Sequence, residues 1–198
     1  MEKSIAFVDT EIDPKSRTIL DIGCVKNDGS SFHNTSIAAF VNFLEGSQFI
    51  CGHNIIRHDL QFISPMLVEL QFPETNIIDT LYLSPLLFPA RPYHSLVKDD
   101  KLQTEELNNP LNDSIQAKNL FFDEVAAFMH MHEKLQQIFY FLLNDKSEFK
   151  AFFHFLSYAS SSADTELLIR EQFKNEICEQ TGLAKIIADH PIELSYCL

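Results

Sequence analysis

The sequence predicts an α/β protein with a mixed five-stranded sheet flanked by helices, followed by a C-terminal helical appendage. Short apolar runs of strand length recur in the first part of the chain. Between them lie segments whose apolar residues recur every three or four positions, which is helical spacing. The resulting order of three strands, a helix, a strand, a helix and a strand implies a mixed sheet with helices packed on it.

Three strands are predicted before the first helix. Residues 4–8 and 18–25 are apolar runs, the second rich in β-branched and aliphatic side chains. Asn27-Asp28-Gly29 follows the second run and is a strong hairpin signal, because Gly readily adopts a positive φ. We therefore expect the strand that begins at Ser31 to pair antiparallel with the second strand.

Two helices then alternate with two further strands. Residues 36–44 have helical spacing, and Gly46 is a plausible C-cap. Residues 49–52 predict a fourth strand, residues 59–70 a helix with one apolar face, and residues 77–78 a short fifth strand.

The remaining sequence predicts connectors and then mostly helix. Three prolines in residues 84–92 predict a bent connector, and residues 93–98 a single helical turn. Residues 99–112 are polar and predict a surface loop, after which a helix begins near Asn112. We place a domain boundary near residue 125, so that residues 1–125 form the α/β domain and residues 126–198 the helical appendage.

Composition and charge narrow the function classes. The chain is 45% hydrophobic and 22% charged, which is typical of globular proteins. Its net charge of -13 argues against indiscriminate binding to nucleic acid or anionic membranes. No apolar stretch is long enough to span a membrane, and the four cysteines form no C-x-x-C pair. We expect a cytoplasmic protein with reduced cysteines and no membrane partner.

Two carboxylates end the first predicted strand. Asp9 and Glu11 are two positions apart, so strand alternation places both side chains on one face. Converging carboxylates suit a hard cation such as Mg²⁺. A D-x-E pattern by itself is weak evidence for such a site, because a solvated strand end followed by a turn explains it better.

Further polar residues follow the later predicted strands. Gly52-His53-Asn54 ends the fourth strand, and Asp59 stands five residues after Asn54. Asp79 follows the fifth strand, and Asp113 opens the late helix. Together with the element order, these motifs resemble the DnaQ-like, or DEDD, 3′–5′ exonucleases, which have a ribonuclease H-like fold.

The resemblance covers residues 1–125 and implies a two-metal nuclease site. In that family, two divalent cations, Mg²⁺ or Mn²⁺, lie about 4 Å apart and support hydrolysis of a terminal phosphodiester with release of a mononucleotide. The matching metal ligands and catalytic residues here are Asp9, Glu11, Asp59 and Asp113. The predicted substrate contacts are Thr10, Asn54, Asn108 and Asn109.

The sequence departs from the family at the general base. Members have His five residues before the last Asp, or Tyr four before it, where this chain has Asn108 and Asn109. An asparagine cannot accept a proton from water near neutral pH. His94 is our candidate for a substitute catalytic base, with His58 as a second candidate. Without any base, a metal-bound water would react about 10² to 10⁴ times more slowly.

Two other polar residues of the motifs are expected to support the site. We expect His53 to orient the backbone next to Asn54 rather than to bind metal, because its companions are oxygen donors. Asp79 is expected to tie the fifth strand to the turn that follows it.

The sequence is also similar to the exonuclease-like module that precedes a RecQ-like DNA helicase in some bacteria. The similarity lies in residues 11–14, 50–54, 81–92 and 108–113. It implies DNA rather than RNA as the substrate, a role in repair or recombination, and a helicase motor in the same polypeptide. The apolar last residues, 196–198, lead us to expect a longer polypeptide in which the appendage is a connector.

Two functions follow from these motifs. The first is a metal-dependent 3′–5′ exonuclease acting on DNA. The second is a catalytically weak or inactive relative that binds nucleic-acid ends or docks against the helicase. The four carboxylates favour the first function, whereas the two asparagines at the base position favour the second.

Overall fold

The computed structural model describes residues 3–96, 109–161 and 164–198. The strands are β1 (Ile5–Ile12), β2 (Ile19–Lys26), β3 (Ser31–Asn34), β4 (Phe49–Gly52) and β5 (Ile77–Asp79). The helices are α1 (Ile37–Leu44), α2 (Leu60–Glu69), α3 (Thr80–Leu87), α4 (Pro110–His130), α5 (Glu133–Leu143), α6 (Lys150–Leu156), α7 (Thr165–Gln172), α8 (Leu183–Asp189) and α9 (Pro191–Cys197). A short 3₁₀ turn, Glu74–Asn76, precedes β5.

The five strands form one mixed sheet with the order β3-β2-β1-β4-β5. β2 runs antiparallel to both β1 and β3, whereas β4 is parallel to β1 and β5 is parallel to β4. The hairpin between β2 and β3 turns at Gly29, whose φ of 90° is open to glycine at no steric cost. The predicted mixed five-stranded sheet with flanking helices is confirmed.

The central strand β1 separates two hydrophobic clusters. Ile5 and Phe7 belong to the cluster that contains α4 and the C-terminal helices. Ala6 and Val8, which alternate with them, belong to the cluster beneath α1 and α2. Since successive strand residues point to opposite faces, Asp9 and Glu11 lie on the α4 side of the sheet.

Two predicted elements differ from the structure. Residues 84–92 were expected to be a bent connector, but α3 extends to Leu87. Asp79 caps this helix through Leu81 N–H, and burial of leucines on its inner side outweighs the helix-breaking tendency of Pro85. The late helix begins at Pro110 rather than near Asn112, because the Asn109 side chain caps it and proline is well tolerated in the first turn.

The structure of residues 93–108 is described only in part. Residues 93–96 are not helical, in contrast to the predicted turn over residues 93–98. Most of the predicted surface loop, residues 99–108, lies outside the described residues.

The C-terminal helices pack on the α4 side of the sheet. One buried cluster joins Phe7 of β1 to Phe121 and Phe128 of α4 and to residues of α5, α6 and α7. At the C-terminal end, the Tyr196 hydroxyl donates to the Tyr82 carbonyl oxygen at 3.0 Å, which ties α9 to α3. The predicted boundary near residue 125 falls within α4, so this helix is common to both predicted units.

No disulfide joins the four cysteines, of which Cys24 and Cys51 are buried and Cys178 and Cys197 are exposed. Among the described helices, none is both long enough and apolar enough to cross a membrane.

Candidate functional site

Asp9 is paired with a residue of β2 whose backbone lies very close to the start of α4. It pairs with Gly23 of β2, and Glu11 pairs with Asp21 two positions further on. A Cβ atom added to Gly23 would lie 2.0 Å from the Pro110 carbonyl carbon and 2.1 Å from the Leu111 nitrogen. Directly paired residues project to the same face, so the start of α4 lies against the sheet on the side that carries Asp9.

Asp113 stands in the first turn of α4 and is half-buried. The contact between Gly23 and Pro110 fixes this turn beside β2, one strand away from Asp9. Asp9, Glu11 and Asp113 therefore come from distant parts of the sequence to one end of the sheet and to one of its faces.

Asp59 reaches β1 from the other side. Its Oδ1 accepts hydrogen bonds from the Thr10 backbone N–H at 2.9 Å and from the Thr10 hydroxyl at 2.6 Å. Both residues are buried, with Thr10 4% and Asp59 1% exposed. Thr10 stands between Asp9 and Glu11, so the Asp59 carboxylate is anchored to the strand segment that carries the other two acids.

The Asp59 side chain has an unusual orientation for a residue at the start of a helix. Asp59 occupies the N-cap position of α2, where aspartate side chains commonly bond to the first N–H groups of the helix. Here it makes no such cap bond, because its carboxylate is turned towards Thr10 instead. Burial raises the pKa of Asp59, while the hydrogen bonds from Thr10 and the nearby His58 lower it.

Asp79 holds the turn that leads to Asp59. Its carboxylate accepts from the N–H groups of Asn54 at 2.8 Å, Ile56 at 3.1 Å and Leu81 at 2.9 Å. Asn54 has a φ of 63°, a left-handed conformation that asparagine tolerates better than most residues. The expectation that Asp79 ties the fifth strand to the following turn is confirmed, and it also fixes the turn over residues 54–56.

His53 and His94 both bind hydroxyl groups of α3. The Nδ1 of His53 lies 2.9 Å from Thr80 Oγ1, and the Nδ1 of His94 lies 2.9 Å from Ser84 Oγ. Thr80 in turn donates to the Gly52 carbonyl oxygen at 3.4 Å. Burial and the neighbouring His94 lower the pKa of His53 to about 4, so His53 is neutral at neutral pH.

The hydrogen bonds of Thr80 select a tautomer for His53. Because Thr80 donates its proton to Gly52, its oxygen accepts from the Nδ1–H of His53. The neutral ring then has an unprotonated Nε2. This network was not predicted, because the prolines in residues 84–92 concealed the helix that carries Thr80 and Ser84. The Asp79-Thr80 pair after a short strand was the available signal, since aspartate is a frequent N-cap.

Asn108 and Asn109 stand at the two positions where the family has its general base. Asn109 accepts hydrogen bonds from Leu111 N–H at 3.0 Å and Asn112 N–H at 3.4 Å, so its side chain caps α4. Asn108 lies outside the described residues. His58 is half exposed, with its Nδ1 3.7 Å from Asp59 Oδ1. A substrate contact by Thr10, Asn54, Asn108 or Asn109 stays a prediction.

The types of the four acidic residues fit a hard divalent cation, but their positions do not form a closed metal site. Asp9, Glu11, Asp59 and Asp113 offer carboxylate oxygens, which Mg²⁺ prefers. Within the described ranges, however, no three His, Cys, Asp or Glu side chains are grouped so that they could hold a metal ion. The four acids are thus gathered at one end of the sheet without being closed around a single point.

Comparison with protein-family models, with curated proteins and with solved structures gave no match for this chain.

Proposed function

We propose that this chain is a metal-dependent 3′–5′ exonuclease of the DnaQ-like type that removes mononucleotides from DNA. The observation that carries the proposal is the bond between Asp59 and Thr10, which joins a third acid to the strand segment of Asp9 and Glu11. The Asp59 carboxylate bonds to the end of the strand instead of capping its own helix, which supports a role for Asp59 at the site. The strand order, with β2 antiparallel to its neighbours, is compatible with a ribonuclease H-like fold.

The four carboxylates would hold two Mg²⁺ or Mn²⁺ ions, which supply an activated water and compensate charge on the departing 3′ oxygen. The chain's own residues would position these groups. Thr10 holds Asp59 in a fixed direction, and Asp79 holds the turn before it. The close approach of Gly23 and Pro110 fixes the helix that carries Asp113.

His94 is proposed to accept the proton that the family's usual base would take. Its Nδ1 is bonded to Ser84, which orients the ring from α3. We expect His94→Gln to lower the turnover rate by about 10²-fold. His58→Gln is the comparison, since His58 is adjacent to Asp59. A larger loss in His58→Gln than in His94→Gln would transfer the role to His58.

A 5′-labelled single DNA strand incubated with Mg²⁺ or Mn²⁺ tests the main proposal. We expect a ladder of products shortened from the 3′ end. Asp59→Asn should abolish it, whereas Glu69→Gln, an exposed acid at the other end of α2, should leave it unchanged. A ladder that persists in Asp59→Asn would contradict the proposal. A strand of RNA in the same assay would test the preference for DNA.

The alternative is a relative that binds nucleic-acid ends without cleaving them. It is favoured by Asn109, whose side chain is used to cap α4 and cannot act as a base. Binding of the labelled strand with no cleavage in either metal would support this alternative. The helicase motor and the role in repair or recombination are proposals that rest on the sequence resemblance.

A further inference from the structure

The outward side of α4 is apolar where a helix packed on a sheet is normally polar. Ile115, Phe122 and Met129 are 39%, 38% and 58% exposed. Ile115 and Met129 belong to neither hydrophobic cluster of the described chain. The Phe122 ring also packs against Phe7 and Phe121, with ring centroids 5.8 and 5.5 Å apart, and leaves its remaining surface exposed. The opposite side of α4 is packed in the interior, where it buries Ser114, Ala117, Phe121, Glu124 and Phe128.

The exposed residues of this side form a regular repeat. From Ile115 to Met129 they are spaced by four, three, four and three positions: Ile115, Asn119, Phe122, Ala126 and Met129. We call these five residues the α4 stripe. Alternating steps of three and four are the a/d spacing of a coiled coil, with Asn119 and Ala126 at a and the other three at d. At 1.5 Å per residue the stripe is about 21 Å long.

Three polar residues, one in the α4 stripe and two beside it, fit a second copy of the same helix. Asn119 is the one polar member of the α4 stripe and stands at an a position, where paired asparagines fix register and favour two parallel strands. Lys118 is at position g and Asp123 at position e. In a parallel pair, g of one helix faces e of the next heptad in the other, so Lys118 faces Asp123 twice.

An antiparallel pair would lose this complementarity. There g faces g and e faces e, so Lys118 could not meet Asp123 of the other copy. Lys118 already donates to the Lys26 carbonyl oxygen at 2.8 Å, but an ammonium group has two further protons to donate. The buried side of α4 faces the sheet and the C-terminal helices, so the two copies would extend away from the helix pair in opposite directions.

We propose that two copies of this chain associate through the α4 stripes in a parallel, two-fold symmetric helix pair. The proposal does not depend on the nuclease activity. A seam of this length is short, so association is weak and concentration-dependent.

The molar mass of the 198-residue chain in solution tests the proposal. Light scattering at about 100 µM should give a mass approaching twice the monomer value of 22.7 kDa, falling to the monomer value on dilution. Met129→Glu should weaken association about tenfold or more, because it places two carboxylates in one apolar layer. Val68→Glu is the matched control, since Val68 is a 70% exposed apolar residue of α2, away from the stripe.

A charge exchange tests the parallel register. Asp123→Lys and Lys118→Glu should each weaken the dimer, and the double variant Lys118→Glu/Asp123→Lys should restore it. Far-UV circular dichroism verifies that each variant is folded. A monomeric wild type at all concentrations, or a dimer that Met129→Glu leaves intact, would overturn the proposal. Failure of the double variant to restore a dimer that both single variants weaken would overturn the parallel arrangement.

Discussion

Gly23 and Pro110 touch backbone to backbone, although one belongs to the second strand and the other begins a late helix. The Cβ of any other residue at position 23 would overlap the Pro110 carbonyl group, at 2.0 to 2.2 Å. Because Gly23 pairs with Asp9, this contact sets the position of the Asp113 turn relative to the first strand. Gly23, which has no side chain to take part in catalysis, thus determines how closely the proposed ligands Asp9 and Asp113 approach each other.

Gly23→Ala should therefore damage both stability and the site. The methyl group cannot be accommodated by a side-chain rotation, because the atoms that it meets are backbone. We expect a loss of about 2–3 kcal/mol in the free energy of unfolding, measured by urea denaturation, together with loss of any cleavage. Gly182→Ala is the matched control, since nothing lies within 4 Å of its added Cβ. Equal stability of the two variants would contradict this prediction.

The Thr10 hydroxyl should contribute to stability through Asp59. Thr10→Val keeps the shape of the side chain but removes the 2.6 Å hydrogen bond to a buried carboxylate. We expect a loss of about 1–3 kcal/mol in thermal or urea unfolding. Thr10→Ser retains the hydroxyl and should lose less. If both variants unfold alike, the hydroxyl bond contributes nothing measurable.

Local patterns predicted the strands because their signals lie within a few residues. The Asn27-Asp28-Gly29 turn defines a hairpin by itself, and the apolar run over residues 49–52 matches β4 in full. By contrast, α3 was not predicted, because the prolines in residues 84–92 argue against a helix. The N-cap and the buried side that stabilise α3 become evident only in the folded chain. Its inner leucines are buried by α4 and the C-terminal helices, which come later in the sequence.

The candidate site was predicted in part for the same reason. Alternation along one strand places Asp9 and Glu11 together, but spacing alone could not show that Asp59 turns away from its helix to Thr10. The structure adds that Asn109 caps α4, while its predicted contact with substrate stays a prediction. Asparagine suits both roles, so its type did not discriminate between them.

Glu124 should make stability fall as pH rises. It is fully buried on α4, and both carboxylate oxygens have no hydrogen-bond partner in the described structure. Burial raises its pKa well above the usual value of 4.5, and the nearby Asp79 raises it further while Arg91 opposes this. The folded protein therefore keeps a proton that the unfolded chain loses above its ordinary pKa.

The sign follows from proton linkage. Below the unfolded pKa, both states are protonated and the stabilisation is complete. Above it, the free energy of unfolding falls by up to about 1.4 kcal/mol per pH unit until the folded pKa is reached. Glu124→Gln removes this loss, so its stability advantage over wild type should grow as pH rises above the ordinary glutamate pKa of about 4.5 in urea titrations. Glu69→Gln, which removes an exposed acid of α2, should show no such growth. A constant difference between Glu124→Gln and wild type would contradict the prediction.

His53 should stay neutral far into the acid range. Its pKa of about 4 arises first from burial and then from the nearby His94, so the ring should not titrate at the ordinary histidine pKa of about 6.5 in an NMR pH series. His94→Ala removes the smaller cause, and the pKa of His53 should rise but remain below the ordinary value, because burial persists. Between about pH 6.5 and pH 4, His53 is protonated in the unfolded chain but stays neutral in the folded protein. His53 therefore lowers the free energy of unfolding as pH falls through this range. His53→Gln should remove that loss. A His53 resonance that titrates near 6.5 in the wild type would mean that the ring is solvated and that its bond to Thr80 does not form.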